Sequence, residues 1–332
     1  MTLSYSKKRK MTTTTEQQRQ LLRMVDRMPP FPQSVTKLLE MTASANCAPR
    51  DLVKVIEHDP VLTGQVLKVV NSAYFGLSRQ IASVRHAVVF VGVNTVKHLA
   101  LTAAAIGSLP RTTAAGIDMQ TYLRHALTTA TISRMLAQRY GSGTNDDVQL
   151  VFLSGLLHDI GTVACAQFMP DQYMQALQEG LNDPVLLVRA ERRIFGVDHA
   201  AISAMLLKKW SMPDMVVEAV GAHLDPYSGG TERTFAMDGL YVAAQLSRLV
   251  IARDQIQELQ QREQMLKEDR PVLGGQLRMV EQRGSGQTIP DPAIDELPQN
   301  LLDRFGMGIE SLYHSLYGLD EELKSNQMFL DL

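Results

Sequence analysis

The chain has 332 residues, 45% hydrophobic and 20% charged, which is enough apolar material for a sizeable core and the length of about two domains. Its 33 basic and 35 acidic residues give a net charge of -2, which excludes the strong positive field of a general nucleic-acid binder or a membrane-surface protein. The two cysteines, Cys47 and Cys165, lie far apart and outside any Cys-x-x-Cys spacing, so neither a disulfide framework nor a zinc ribbon can be built from them.

The basic block Lys7 to Lys10 leads into the polar run Thr12 to Gln20, where a signal peptide would need an apolar stretch. No window approaches roughly 18 uninterrupted apolar residues, and even Val84 to Ile106 contains Arg85, His86, Asn94, Lys97 and His98. These features predict a cytoplasmic protein with no membrane span, a flexible tail over residues 1–19, and nucleic acid disfavoured as a partner.

Period-two alternation is nearly absent, while apolar residues recur at three and four, so the expected fold class is all-α. Asp59 and Pro60 supply an N-cap and a first-turn proline for a helix over 61–70, and Ser83 and Asn94 are expected to cap the next two helices. A helix from about Met119 to Tyr140 stops at Gly141, then Asp146 or Asp147 caps a very apolar helix through Leu157, with Gly161 as a further stop. More helices are expected near 172–180, 184–194, 199–210, 213–223 and 236–252. From Arg253 to Glu296, 15 of 44 residues are charged and Gly-Gly and Gly-Ser-Gly runs intervene, which predicts a charged helix running into a linker. Leu301, Leu302, Phe305, Ile309, Leu312 and Leu316 then restore helical spacing, predicting a terminal element that docks back or onto a partner, with homodimerisation one outcome.

The pair His158-Asp159 closes an apolar helix and presents an imidazole and a carboxylate from a buried end. Such a pair can share one metal ion, or the carboxylate can bridge two. His125 lies mid-helix, His199 follows Gly196-Val-Asp198, and His223 precedes Leu224-Asp225-Pro226, so four spread histidines and one carboxylate make a candidate helical metal site. Ser154-Gly155 lacks the strand-to-helix elbow of a serine hydrolase.

The run Phe152-Leu-Ser-Gly-Leu-Leu-His158-Asp159-Ile-Gly161, with His125 upstream, resembles the HD metal-dependent phosphohydrolase superfamily, and other motifs resemble its HDOD branch of bacterial HD-related output domains. These are Met28-Pro29-Pro30-Phe31-Pro32, Asp59-Pro60 leading to Asn71-Ser72 and Gly76, Ile81 to Gly92, Phe195-Gly-Val-Asp-His199, and Trp210-Ser-Met-Pro213. The resemblance implies a two-lobed helical HDOD module over 20–255, with an amino-terminal lobe over 20–115 and an HD-like lobe over 116–255, followed by a charged linker and helical element over 256–332. It implies His125, His158, Asp159, His199 and His223 as ligands for one divalent metal (iron, manganese, zinc or magnesium).

Two departures matter. The late aspartate of catalytic HD enzymes is expected at Gln245, and the second of a frequent histidine pair is replaced by Leu224, so a carboxylate and a nitrogen are lost. A neutral amide in place of an anionic ligand disfavours a two-metal site. This favours a non-enzymatic bacterial signal-transduction protein whose degenerate pocket serves as scaffold or ligand sensor, acting on signalling proteins in trans. The alternative is a metal-dependent phosphodiesterase acting on a signalling nucleotide; between them stands a nucleotide-binding module without hydrolysis.

Overall fold

The computed structural model describes residues 15–30, 33–42, 48–72, 75, 77, 79–143, 145–181, 183–225, 227, 233–268 and 297–330, and no strand occurs among them. Lys7 to Lys10, Pro32, Cys47, Gly76, Pro226 and the linker over 269–296 lie outside the described residues.

The amino-terminal lobe comprises α2 (Gln33–Thr42), α3 (Pro49–Glu57), α4 (Pro60–Val70), α5 (Val84–Val91) and α6 (Val93–Gly107). Helix α6 is its axis and packs against the other four, because Val96, Leu99, Ala100, Ala103 and Ala105 are buried around much of its girth. Asp59 caps α4 by accepting from Leu62 N–H at 3.0 Å and also accepts from Ser34 Oγ at 2.9 Å, tying α2 to α4. Asn71 ends α4: its amide donates to the carbonyls of Leu67 and Ile81, each at 2.8 Å, and its Oδ1 accepts from Ile81 N–H at 2.7 Å. Ser83 caps α5, accepting from His86 N–H at 3.3 Å. Asn94 does not cap α6, because Gly92, with φ of 86°, turns α5 directly into a helix that has already begun at Val93.

The second lobe comprises α7 (Met119–Tyr140), α8 (Asn145–Leu157), α9 (Ile160–Phe168), α10 (Pro170–Gly180), α11 (Pro184–Phe195), α12 (His199–Lys209), α13 (Asp214–Ala222) and α14 (Phe235–Glu268). Helix α8 starts at Asn145, so Asp146 and Asp147 lie in its first turn rather than ahead of it. The stretches 147–168 and 235–261 are long and apolar enough by composition to cross a membrane, but 78% and 61% of their apolar windows are buried within the fold. The first of them is two helices broken at His158-Asp159.

Helix α1 (Thr15–Arg27) begins inside the expected tail and packs on α9 and α12, not on the amino-terminal lobe. Its buried stripe of Leu21, Met24 and Val25 faces α9 and α12, and its last carbonyls, which the helix cannot satisfy, take donors from the end of α12. Lys209 Nζ reaches the carbonyls of Val25, Asp26 and Met28 at 2.6, 3.0 and 3.2 Å, and Trp210 Nε1 reaches that of Pro29 at 3.0 Å. The proline run and the Trp210 motif, 181 residues apart, are thus two halves of one contact.

The carboxy-terminal helices α15 (Gln299–Phe305), α16 (Ile309–Ser315) and α17 (Leu319–Gln327) dock back on their own chain. Leu301, Phe305 and Leu312 pack with Ile132, Leu136 and Leu246 of α7 and α14, while Phe329 is fully buried in the main core. Asn326 donates to Thr131 Oγ1 at 2.6 Å, and Glu322 pairs with Arg134.

A Cβ at position 155 would lie 2.5 Å from Ala130 Cα, so α7 and α8 approach as closely as they do only because residue 155 is glycine. Gly155→Ala should lower stability by about 2 kcal/mol or more, read as a reduced urea midpoint at unchanged slope. A second test concerns His98, half-buried on α6 between Gln149 Oε1 at 3.0 Å and Arg134 Nη1 at 3.3 Å. Burial first, and then Arg134, hold its pKa down to about 4. The unfolded chain therefore takes up this proton near pH 6.5, before the folded one does, so the contribution is complete above about pH 6.5 and is lost as pH falls towards 4. From about pH 7.5 to pH 5 it should remove about 2 kcal/mol, and His98→Gln should flatten that dependence; an equal fall in the variant would clear His98 of the effect.

Candidate metal centre

Four helices are brought to one point by local sequence features. Helix α8 ends at Leu157 and the chain turns at His158-Asp159 into α9. Gly161, expected to end a helix, instead lies in the first turn of α9: a Cβ there would sit 2.3 Å from His199 O, and its N–H donates to Ser203 Oγ at 2.9 Å. The missing side chain lets α12 close against α9, and Asp198 caps α12 by accepting from Ala201 N–H at 3.0 Å, so His199 enters at the first turn. His125 comes from the middle of α7, packed on α8, and His223 from the end of α13, packed on α12. His158, His223 and His199 are 0%, 1% and 6% exposed, and the side chains of His125 and Asp159 are 17% and 14% exposed, so the cluster meets solvent along one edge.

Every ring is held by its Nδ1. His158 Nδ1–H donates to Gly155 O and His223 Nδ1–H to Val220 O, each at 2.7 Å, which leaves both Nε2 atoms as lone pairs. His199 Nδ1 is 2.7 Å from Glu191 Oε2, and His125 Nδ1 is 3.0 Å from Ser247 Oγ. All four Nε2 atoms converge on Asp159. His158 and His125 face Oδ2 at 3.2 and 3.6 Å, and His223 and His199 face Oδ1 at 3.3 and 3.4 Å. His125 and His158 Nε2 are 3.2 Å apart.

These spacings suit a cation. Donors about 2.1 Å from a shared ion lie about 3.0 to 3.4 Å from one another, and anchoring Nδ1 to an acceptor is how metal-binding histidines are commonly oriented. Asp159 Oδ1 and His223 Nε2 are buried without a hydrogen-bond partner among the described residues. Two three-donor groups share Asp159: His125, His158, Asp159 and Asp159, His199, His223. The residues present therefore fit a divalent ion.

The electrostatics agree. Burial alone would raise the Asp159 carboxyl, but His158 and then His199 and His223 hold it well below the usual carboxylate range. Burial would depress His199, but Glu191 and Asp159 outweigh it and lift the ring to about 9. Burial and then His158 press His125 down to about 3. Two carboxylate charges, Asp159 directly and Glu191 through His199, match one dication and leave two dications badly compensated.

Helix α14 reaches the cluster through Ser247, fully buried, whose Oγ also lies 3.3 Å from His125 O. Gln245, two positions earlier and so about 200° away round the helix, is half-buried and makes no hydrogen bond to the cluster among the described residues. Leu224 is half-buried in the turn after His223. Sequence reasoning missed Glu191 and Ser247. Glu191, 2% exposed, carried one local signal, an acidic residue spaced eight before a histidine on an otherwise basic helix end, Arg189 to Arg193.

Among the family-motif residues, Asp59, Pro60, Asn71, Trp210 and Pro213 shape helix ends and their contacts, and Ser72 Oγ lies 3.5 Å from Met328 Sδ. Pro30 is exposed beside Pro29. None of these is a cluster ligand. Glu191→Gln removes the charge behind His199 and should weaken divalent-ion affinity about tenfold to hundredfold, measured by competition with a chromophoric chelator; unchanged affinity would make Glu191 a packing residue only.

The family model described as the HDOD domain matches residues 28–226. An uncharacterized protein of Treponema pallidum is 26% identical over 214 residues, 60% of this chain and 39% of its own length, so the chain spans about two fifths of that relative. An HDOD domain protein of unknown function from Geobacter sulfurreducens superposes with a TM-score of 0.65 at 19% identity, covering 94% of this chain and 97% of that one. A Shewanella amazonensis protein provisionally described as a phosphohydrolase gives 0.63 at 20%, covering 93% and 98%. A Marinobacter aquaeolei protein provisionally described in signal transduction gives 0.63 at 22%, covering 95% and 64%. At these identities the structures show a shared all-α fold, and the family match spans more than half of the sequence: the chain belongs to the HDOD family.

Proposed function

We propose that this chain is a bacterial signal-transduction protein that works by binding rather than hydrolysis, with one divalent ion held by the Asp159 cluster and output through contacts with signalling proteins in trans. The enclosure of the cluster carries this reading. Three of its four histidines are buried, and the side chains along its one open edge, His125 and Asp159, are only 17% and 14% exposed. A nucleotide needs a pocket of at least about 300 Å³ around the reacting group. The charge balance supports a single ion, and the contact from α14 is a neutral hydroxyl. Imidazole-rich donors suit iron or zinc better than magnesium, which takes oxygen ligands. When bound, such an ion would act as a Lewis acid towards one further ligand.

A second reading, phosphohydrolysis of a signalling nucleotide, is favoured by the partly exposed edge at His125 and Asp159, because three protein donors with an open side is the usual arrangement of a hydrolytic ion.

Elemental analysis of tag-free protein should find about one equivalent of iron, zinc or manganese, lost in Asp159→Asn. A panel of cyclic dinucleotides and guanosine polyphosphates should show no turnover. Metal-stimulated turnover that disappears in His158→Ala would replace binding with hydrolysis, and metal-free protein that takes up no added ion would overturn the ion itself.

A further inference from the structure

The carboxylate of Asp159 and the carbonyl-anchored rings of His158 and His223 turn acceptors into the cluster, and a hydroxyl donor on the same helix as His125 has no hydrogen-bond partner among the described residues. Tyr122 lies on α7 one turn before His125 and on the same face of the helix. It is 9% exposed, and its hydroxyl is buried with no hydrogen-bond partner among the described residues. Two other orphaned hydroxyls on α7, Thr129 and Ser133, are short enough to turn onto carbonyls of their own helix, and a phenol is not. Burial, and then the negative charge of Asp159, keep the Tyr122 proton in place far above neutral pH, so this group is a permanent donor that faces an anion's field. A buried phenol without a partner costs about 1 to 3 kcal/mol, which a ligand accepting its hydrogen bond would recover.

We propose that Tyr122 donates its hydroxyl hydrogen to a small monodentate anion, of the size of azide, formate or hydroxide, bound on the open side of the His125, His158 and Asp159 group. The inference rests on the ion-binding reading above and names the ligand that the site would sense. Size follows from access: the two exposed members of the group are only 17% and 14% exposed, which admits a ligand of a few atoms end-on and leaves little room for a phosphate ester with its substituent.

The test is a cobalt titration of the full chain followed by visible absorption, with Tyr122→Phe as the variant, since the ring that packs in the core is retained. Sodium azide should change the spectrum of the cobalt protein, and Tyr122→Phe should weaken azide binding about tenfold or more with cobalt affinity unchanged. Equal azide binding in the variant would overturn the role of Tyr122. Inorganic phosphate binding more tightly than azide would overturn the size assignment, and loss of cobalt in the variant would make Tyr122 a structural residue. Failure of the parent protein to bind cobalt would bring down the ion reading itself, a result recognisable because no cobalt spectrum would develop.

Discussion

Asp159 is a carboxylate placed where two core helices meet, and taking such a charge out of water costs several kcal/mol unless the surroundings answer it. The answer comes from four imidazoles on α7, α12, α13 and the turn after α8, each with one nitrogen tied outward and the other turned to the carboxylate. This constraint fixes more than the site. It requires α12 to lie against α9 where Gly161 has no side chain, α7 to lie against α8 where Gly155 has none, and a second carboxylate, Glu191, to be buried on the helix face opposite its neighbours in sequence, solvent-facing Arg192 and Arg193. Much of the second lobe is the solution to one electrostatic problem.

The helical class and most helix positions were legible in the sequence through apolar spacing and Asp-Pro and Ser caps, and the five residues that the structure gathers at one point were singled out there by a His-Asp pair closing a greasy helix together with the family motifs around the other histidines. What the sequence hid was non-local. Helix α1 has an amphipathic stripe but nothing that says which lobe it faces, and that is decided by Lys209 and Trp210, whose donors reach the carbonyls at its end. Glu191 and Ser247 act on histidines through space across helix pairs, so neither has a motif of its own. The position expected to hold a lost ligand, Gln245, was placed by spacing alone, and a difference of two residues on a helix swings a side chain to the opposite flank.

The carboxy-terminal helices show how the same helix can serve two purposes. Helix α7 carries Tyr122 and His125 near its start. Further along, Thr131, Arg134 and Arg139 hold Asn326, Glu322 and the carbonyls of Ser315 and Tyr317. Arg134 also stands over the ring of Phe152 on α8, 5.4 Å from its centroid, and touches His98 of the other lobe. A charge placed on the last helix is thus joined by two side chains to the helices that bear the ligands.

The matched family region ends at residue 226, whereas the structural unit does not. Helix α14 supplies the hydroxyl that orients His125, and α1, which begins upstream of residue 28, covers α9 and α12. A chain trimmed to the family boundaries would keep every ligand by name while freeing one imidazole to rotate and uncovering the apolar flank of α7. Relatives aligned only over the shared motifs can therefore look intact in sequence and still differ in what their clusters hold, since the group that aims one of the four rings is written outside the segment by which the family is defined.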